Sequence, residues 1–183
     1  HTDNDVLVYW PVYDEWMKSG KMMQKFTVHQ NEWITKNPAG EVAKALYDRG
    51  FLYDFISDKQ IQCLDVQENS IIAPGNVYKS IIVLSSKYIP LNTLKSLIML
   101  AEQGAQVFFQ TPIPRTVPGF HNYNSRQKRF DNFIQKWLFD DCHQPKIPTV
   151  HVFNKWREFI SQTKSIPEFA CYEKGLNALR KKT

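Results

Sequence analysis

Ser80-Ile81-Ile82-Val83-Leu84-Ser85 is followed by Pro90, by an apolar stripe at Leu91, Leu94, Leu97, Ile98 and Ala101, by Gly104, and then by Gln106-Val107-Phe108-Phe109-Gln110-Thr111. The two outer runs are apolar at successive positions, as strands buried on both faces of a sheet must be. The middle run repeats at helical spacing, with a proline at its start and a glycine at its stop. Strand, helix, glycine, strand is the repeating unit of a parallel sheet with crossover helices.

The same unit is legible upstream. Val6-Leu7-Val8-Tyr9 is a near-continuous apolar run that breaks at Pro11 into Val12-Tyr13-Asp14-Glu15-Trp16. A helix is expected after Gly40, through residues 41–49, with Val42, Ala45, Leu46 and Arg49 on one face and Gly50 as its stop. Leu52-Tyr53-Asp54-Phe55-Ile56-Ser57 then alternates as a strand, which completes a right-handed βαβ unit. Between these elements, residues 14–40 read as a long irregular excursion, with room for a helical turn, carrying Trp16, Phe26 and Trp33. Residues 61–78 read as an inserted hairpin, Cys63–Val66 against Ser70–Ala73, turning at Gln67-Glu68-Asn69 and closed by Pro74-Gly75-Asn76.

Downstream, 111–125 is a proline-rich loop and 126–140 a helix with Phe130, Phe133, Ile134, Trp137 and Leu138 at helical spacing. Thr149-Val150-His151-Val152-Phe153 is a last strand, and a short helix is expected from Asn154 to Gln162. The fold class is therefore α/β: a flavodoxin-like three-layer sandwich with a central parallel sheet, expected order 2-1-3-4-5, and a small β-hairpin insertion. Residues 5–175 form the expected domain. The 176–183 run looks like the beginning of a strand without a partner, so the chain is expected to be a fragment.

Composition narrows the function classes. Hydrophobic residues make up 43% and charged residues 22%, which suits a packed core. The net charge of +5 is scattered, and no basic stripe or nucleic-acid motif is present, so nucleic acid is not an expected partner. No apolar run is long enough for a transmembrane helix, so no membrane is expected either. Cys63, Cys142 and Cys171 are odd in number and lack C-x-x-C spacing, which points to buried thiols rather than a disulfide framework or a zinc site. His29, His121, His143 and His151 are too dispersed to suggest a metal cluster. No metal and no cofactor are expected.

The loop after the first strand carries the candidate chemistry, because ligands of open α/β sheets dock outside the carboxyl ends of the strands. Pro11-Val12-Tyr13-Asp14-Glu15-Trp16 is bulky, acidic and free of glycine, which opposes a phosphate. No Gly-x-Gly-x-x-Gly or Walker-type loop occurs. A serine nucleophile at Ser85 or Ser86 would need a glycine-flanked elbow, and Leu84-Ser85-Ser86-Lys87 has none. Asp14, Glu15, Asp54 and Asp58 are expected near the carboxyl edge of the first two strands, with Asp54 hydrogen-bonded to loop amides. Tyr13, Asp14, Trp16, Trp33 and Asp54 are the candidates for contact with a ligand or a neighbouring domain: the aromatics form either a sugar platform or a patch buried by that domain.

Val6-Leu7-Val8-Tyr9-Trp10-Pro11-Val12-Tyr13-Asp14-Glu15-Trp16 and Gly50-Phe51-Leu52-Tyr53-Asp54-Phe55-Ile56-Ser57-Asp58 together resemble the accessory α/β domain of large bacterial glycoside hydrolases. So do Tyr78-Lys79-Ser80-Ile81-Ile82-Val83-Leu84, Ile89-Pro90-Leu91-Asn92-Thr93-Leu94 and Gly104-Ala105-Gln106-Val107. The family is the α-L-rhamnosidases of glycoside hydrolase family 106, whose accessory region is similar to a class I glutamine amidotransferase-like domain. The resemblance covers residues 5–182. It implies a non-catalytic accessory domain of a carbohydrate-degrading enzyme. The catalytic carboxylates then belong to a barrel domain, and 176–183 leads into a downstream β-sandwich domain. Barrel and sandwich are its implied partners, carbohydrate is a possible ligand, and the implied location is periplasmic or secreted. Ser85-Ser86-Lys87 departs from the Gly-x-Cys-x-Gly of an amidotransferase, so that nucleophile is not carried over. The alternatives are a sugar-binding module using the first-strand aromatics, or a degenerate amidotransferase-like hydrolase working through Ser85, Ser86 or Cys142.

Overall fold

The computed structural model describes residues 4–17, 38–138 and 145–167. Its centre is a five-stranded, all-parallel sheet. The strands are β1 (Val6–Tyr9), β2 (Tyr53–Ile56), β6 (Ser80–Val83), β7 (Gln106–Gln110) and β8 (Val150–Phe153), in the order β2-β1-β6-β7-β8. The three intervening strands, β3 (Asp65–Gln67), β4 (Ser70–Ala73) and β5 (Asn76–Tyr78), form a separate antiparallel sheet. The α/β class stands, and one finer expectation is corrected. In whole-chain numbering the order is 2-1-6-7-8, which becomes 2-1-3-4-5 when the central strands alone are counted, but the insertion is a three-stranded sheet rather than a hairpin.

Turn chemistry explains the extra strand. Glu68 and Asn69 both have positive φ, 50° and 60°, as the tight primed hairpin turn between β3 and β4 requires. Pro74-Gly75, with Gly75 at φ 92°, then opens a second turn instead of closing the first.

Because side chains alternate along a strand, neighbours in register line up on one face. Phe55, Val8, Ile82, Phe108 and His151 form one such row across the sheet, and Asp54, Leu7, Ile81, Val107 and Val150 form the next. The first face is covered by α2 (Pro38–Tyr47) and α6 (Trp156–Gln162), which bury Val42, Leu46 and Phe159 against Val6, Val8, Ile82 and Phe108. The other is covered by α4 (Leu91–Glu102), α5 (Tyr123–Phe133) and the small sheet, which bury Leu94, Leu97, Phe130 and Ile71 against Leu7, Ile81, Val83 and Phe109. The chain thus switches faces where it switches direction, leftward from β1 to β2 and rightward from β6 to β8.

Both α2 and α4 end in the same way. Gly50 has φ 76°, its N–H donates to the Tyr47 carbonyl and the Phe51 N–H donates to that of Leu46. Gly104 has φ 108°, with Gly104 donating to Ala101 and Ala105 to Leu100. These paired bonds satisfy the last carbonyls and need a left-handed residue that glycine supplies cheaply.

Several element boundaries differ from the sequence reading. The first helix of the β1–β2 crossover, α1 (Val12–Trp16), begins directly after Pro11, where an irregular stretch is expected. Gly40 lies inside α2, which starts at Pro38. The 126–140 helix starts earlier, at Tyr123, and its end is a π-helical turn, Ile134–Leu138. Lys146 holds that turn: its Nζ donates to the carbonyls of Gln135 (2.9 Å) and Lys136 (3.1 Å). Cys63 is exposed, not buried, because it follows the short α3 (Asp58–Ile61) in the turn leading to β3. Trp33, His29, His143, Cys142, Cys171 and the 176–183 run lie outside the described residues.

Candidate functional site

The switch between β1 and β6 places the first-strand loop against the loop that follows β6, the position where open α/β sheets take ligands. Asp14, on α1, reaches across it. Its Oδ1 accepts the Lys87 N–H at 2.7 Å and its Oδ2 the Tyr88 N–H at 3.1 Å. Charge-assisted bonds to backbone amides are the stronger kind, so Asp14 ties the two loops together. A second tie comes from the end of β7, where Gln110 Oε1 accepts the Ser85 N–H at 3.2 Å.

Asp58 is the second hub. Its Oδ1 accepts the Tyr9 hydroxyl at 2.9 Å and also the Thr93 hydroxyl from the first turn of α4. Tyr9 is fully buried, and burial, reinforced by the Asp58 charge, pushes its phenol far above the usual tyrosine value. The Tyr13 phenol is raised for the same two reasons, burial first and Asp58 second. Both phenols therefore stay protonated as donors, and neither is a base at neutral pH.

Asp54 belongs elsewhere. It pairs in register with Leu7, short of the strand end, and its Oδ2 accepts the Tyr78 hydroxyl from β5 at 2.8 Å. The expectation that it gathers with the mouth carboxylates and bonds loop amides is corrected: it joins the small sheet to the large one. Burial first, and this bond second, push the Tyr78 phenol up to about 12. Asp58, which the sequence reading left among the mouth carboxylates without a role, is the residue that organises the site. The available signal was Ser57-Asp58-Lys59-Gln60, a helix-start pattern directly after a strand. Gln60 Oε1 does reach back to the Ser57 N–H at 3.0 Å.

Tyr13 and Trp16 are in contact, with ring centroids 5.5 Å apart at an interplanar angle of 82°. Edge-to-face rings do not make the flat double platform on which a sugar stacks. Trp16 is 50% exposed and Met17 40% exposed, so the end of α1 is an apolar surface beside the two tied loops. Ser86 is buried, and its hydroxyl has no hydrogen-bond partner among the described residues. No base is therefore positioned to activate it, which is the arrangement a serine nucleophile needs. Among the described residues, no three His, Cys, Asp or Glu side chains gather where they would hold a metal ion. No described helix is long and apolar enough to cross a membrane.

No protein-family model matches the sequence, and neither a curated protein nor a solved structure matches the chain.

Proposed function

We propose that this chain is a non-catalytic accessory domain of a carbohydrate-degrading glycoside hydrolase of the α-L-rhamnosidase-like kind. Its finer architecture is that of a class I glutamine amidotransferase-like domain. The neighbouring barrel and β-sandwich domains of the parent polypeptide are its partners, and the barrel performs the chemistry.

One observation carries the reading. The carboxylates in the best position for chemistry are occupied by the fold itself, Asp14 by the Lys87 and Tyr88 amides and Asp58 by Tyr9 and Thr93. A hydrolytic carboxylate pair needs one group poised as an acid and another open to water or substrate. Here Asp14 lies on the opposite tie from Asp58, and each is held as an acceptor. Beside the exposed Lys87, the mouth leaves the apolar Trp16 and Met17 to solvent, which suits contact with another domain. The motif order from Tyr9-Trp10-Pro11 to Gly104-Ala105 supports the hydrolase family.

The test is an assay of the isolated chain on 4-nitrophenyl α-L-rhamnoside, with a tryptophan-fluorescence titration against rhamnose and rhamnose-containing oligosaccharides. Neither turnover nor a saturable fluorescence change is expected. Turnover that survives purification of the chain to homogeneity overturns the non-catalytic reading; saturable quenching lost in Trp16→Ala would make it a sugar-binding module.

A further inference from the structure

The loop between β7 and α5 carries a feature that the mouth does not explain. Phe120 is 85% exposed, far more than any other large hydrophobic side chain among the described residues. A ring so placed normally folds back onto the surface to escape water. Here the backbone prevents it. The Arg126 guanidinium donates to the carbonyls of Pro118 (2.7 Å), Gly119 (2.6 Å) and His121 (2.8 Å), which closes the turn around one side chain. Gly119 at φ 82° and Asn122 at φ 48° give the turn its left-handed steps. Gln127 clamps the incoming arm, accepting from the Val117 N–H and donating to the Arg115 carbonyl. Phe120 is therefore held out by a rigid turn, not exposed by a loose one.

We propose that the 118–123 turn is a docking finger for a protein partner, with Phe120 seated in an apolar pocket rimmed by Asp and Glu. Rigid aromatic anchors are the residues that dominate protein interfaces, and a pre-ordered loop avoids the entropy loss of ordering on contact. Charge identifies the rim. From Thr111 to Phe130 the chain carries Arg115, Arg126, Lys128 and Arg129 and no Asp or Glu, with Lys128 and Arg129 exposed on the first turns of α5. A complementary partner places carboxylates around the pocket. A sugar ligand is disfavoured because the neighbouring polar side chains, His121 and Asn122, bond to each other at 3.0 Å instead of standing open at the ring edge. Single-stranded nucleic acid is disfavoured because it reads successive stacked rings, and this turn offers one. The inference is independent of the hydrolase reading, since it asks only for a protein surface.

The test uses the complete natural gene product in the organism that encodes it, with Phe120→p-benzoylphenylalanine as the photo-crosslinking probe. Cross-links are expected to concentrate on one peptide holding aliphatic or aromatic residues flanked by Asp or Glu. Their yield should fall about tenfold when Lys128→Glu and Arg129→Glu are added. The same probe at Ile166, which is 63% exposed, should not label that peptide. Phe120→Ala should melt within about 2 °C of the parent, as an exposed site allows, so that loss of contact is not loss of fold. Cross-links that are absent, scattered, unchanged by the charge reversal, or directed to carbohydrate, nucleic acid or the same turn of a second copy overturn the proposal.

Discussion

The two faces of the central sheet are built on different physics. Under α2 and α6 the face is mostly rings and aliphatics: Phe108 packs on Phe159 at 4.9 Å, Phe153 on Phe159 at 5.7 Å and Phe51 on Phe159 at 5.8 Å. Under α4 and the small sheet, the apolar layer is crossed by two tyrosine-to-carboxylate bonds, Tyr9 to Asp58 and Tyr78 to Asp54. The first face depends chiefly on filled volume, and its titrating group is His151, stacked on Phe108 at 4.6 Å with a pKa lowered by burial. The second depends on particular donors and acceptors. The difference gives Asp54 and Asp58 a place in the second face's architecture, each as the acceptor of a tyrosine hydroxyl.

The comparison breaks most sharply at Phe108. It is fully buried and touches rings on both β8 and α6, so Phe108→Ala leaves a cavity that its rigid neighbours cannot fill. A loss of about 3–5 kcal/mol is expected, the usual cost of deleting a buried phenylalanine. In a chain of this length that lowers Tm by roughly 10 °C or more. A denaturant midpoint unchanged from the parent would mean that the rings do not hold this face.

On the other face, Asp58→Ala should cost about 2–3 kcal/mol, because it strands the hydroxyls of Tyr9 and Thr93, both almost completely buried. Asp58→Asn keeps an acceptor oxygen and should recover more than half of the loss. Equal losses in the two variants would show that the hydroxyl bonds contribute little. Because the two sites lie on opposite faces, Phe108→Ala and Asp58→Ala should add to within about 0.5 kcal/mol.

The tyrosine face also has a pH signature. The Tyr78 phenol is pushed up to about 12, and those of Tyr9 and Tyr13 are also raised, with burial the largest cause in each. An unfolded tyrosine ionises near about 10. Above that pH the unfolded chain releases protons that the folded chain retains, so stability falls as pH rises. The contribution is whole below about pH 10 and, for Tyr78, is lost progressively up to about 12. Chemical-denaturation midpoints from pH 8 to pH 12 should be flat and then fall. Tyrosinate absorbance should rise in step with unfolding, and full tyrosinate absorbance in a still-folded chain would refute the assignment.

The parallel sheet was legible because β1, β6 and β7 carry continuous apolar runs and its helices are punctuated by Gly50 and Gly104, which do take positive φ. The extra strand β5 was not, since Asn76-Val77-Tyr78 is too short to show a period and Pro74-Gly75 reads equally as a stop or a turn. The π-helical turn was invisible for another reason: Phe130, Ile134 and Leu138 keep helical spacing, and the side chain that holds the turn, Lys146, lies well beyond it. The same limit applied to the site. Asp14, Asp54 and Asp58 are alike in a sequence, and only their partners, Lys87, Tyr78 and Tyr9, distant along the chain, separate a loop tie from a sheet tie and a buried hub.

The smallest effect sharpens that distinction. Asp14→Ala removes the acceptor of two amides on a loop that water can reach, so the loss should be about 1 kcal/mol, or a Tm lower by about 2–4 °C. Its local effect is larger than its global one. The Lys87 and Tyr88 amides lose their only described acceptors, and their hydrogen exchange should accelerate about tenfold while that of the β6 amides stays within the global change. Asp14→Asn, which keeps one acceptor oxygen but not the charge, should fall between the two. Exchange at Lys87 and Tyr88 that ignores both substitutions would free Asp14 from its structural role and return it to the ligand candidates, because a half-buried carboxylate at the switch between β1 and β6 would then face the crevice with no partner holding it.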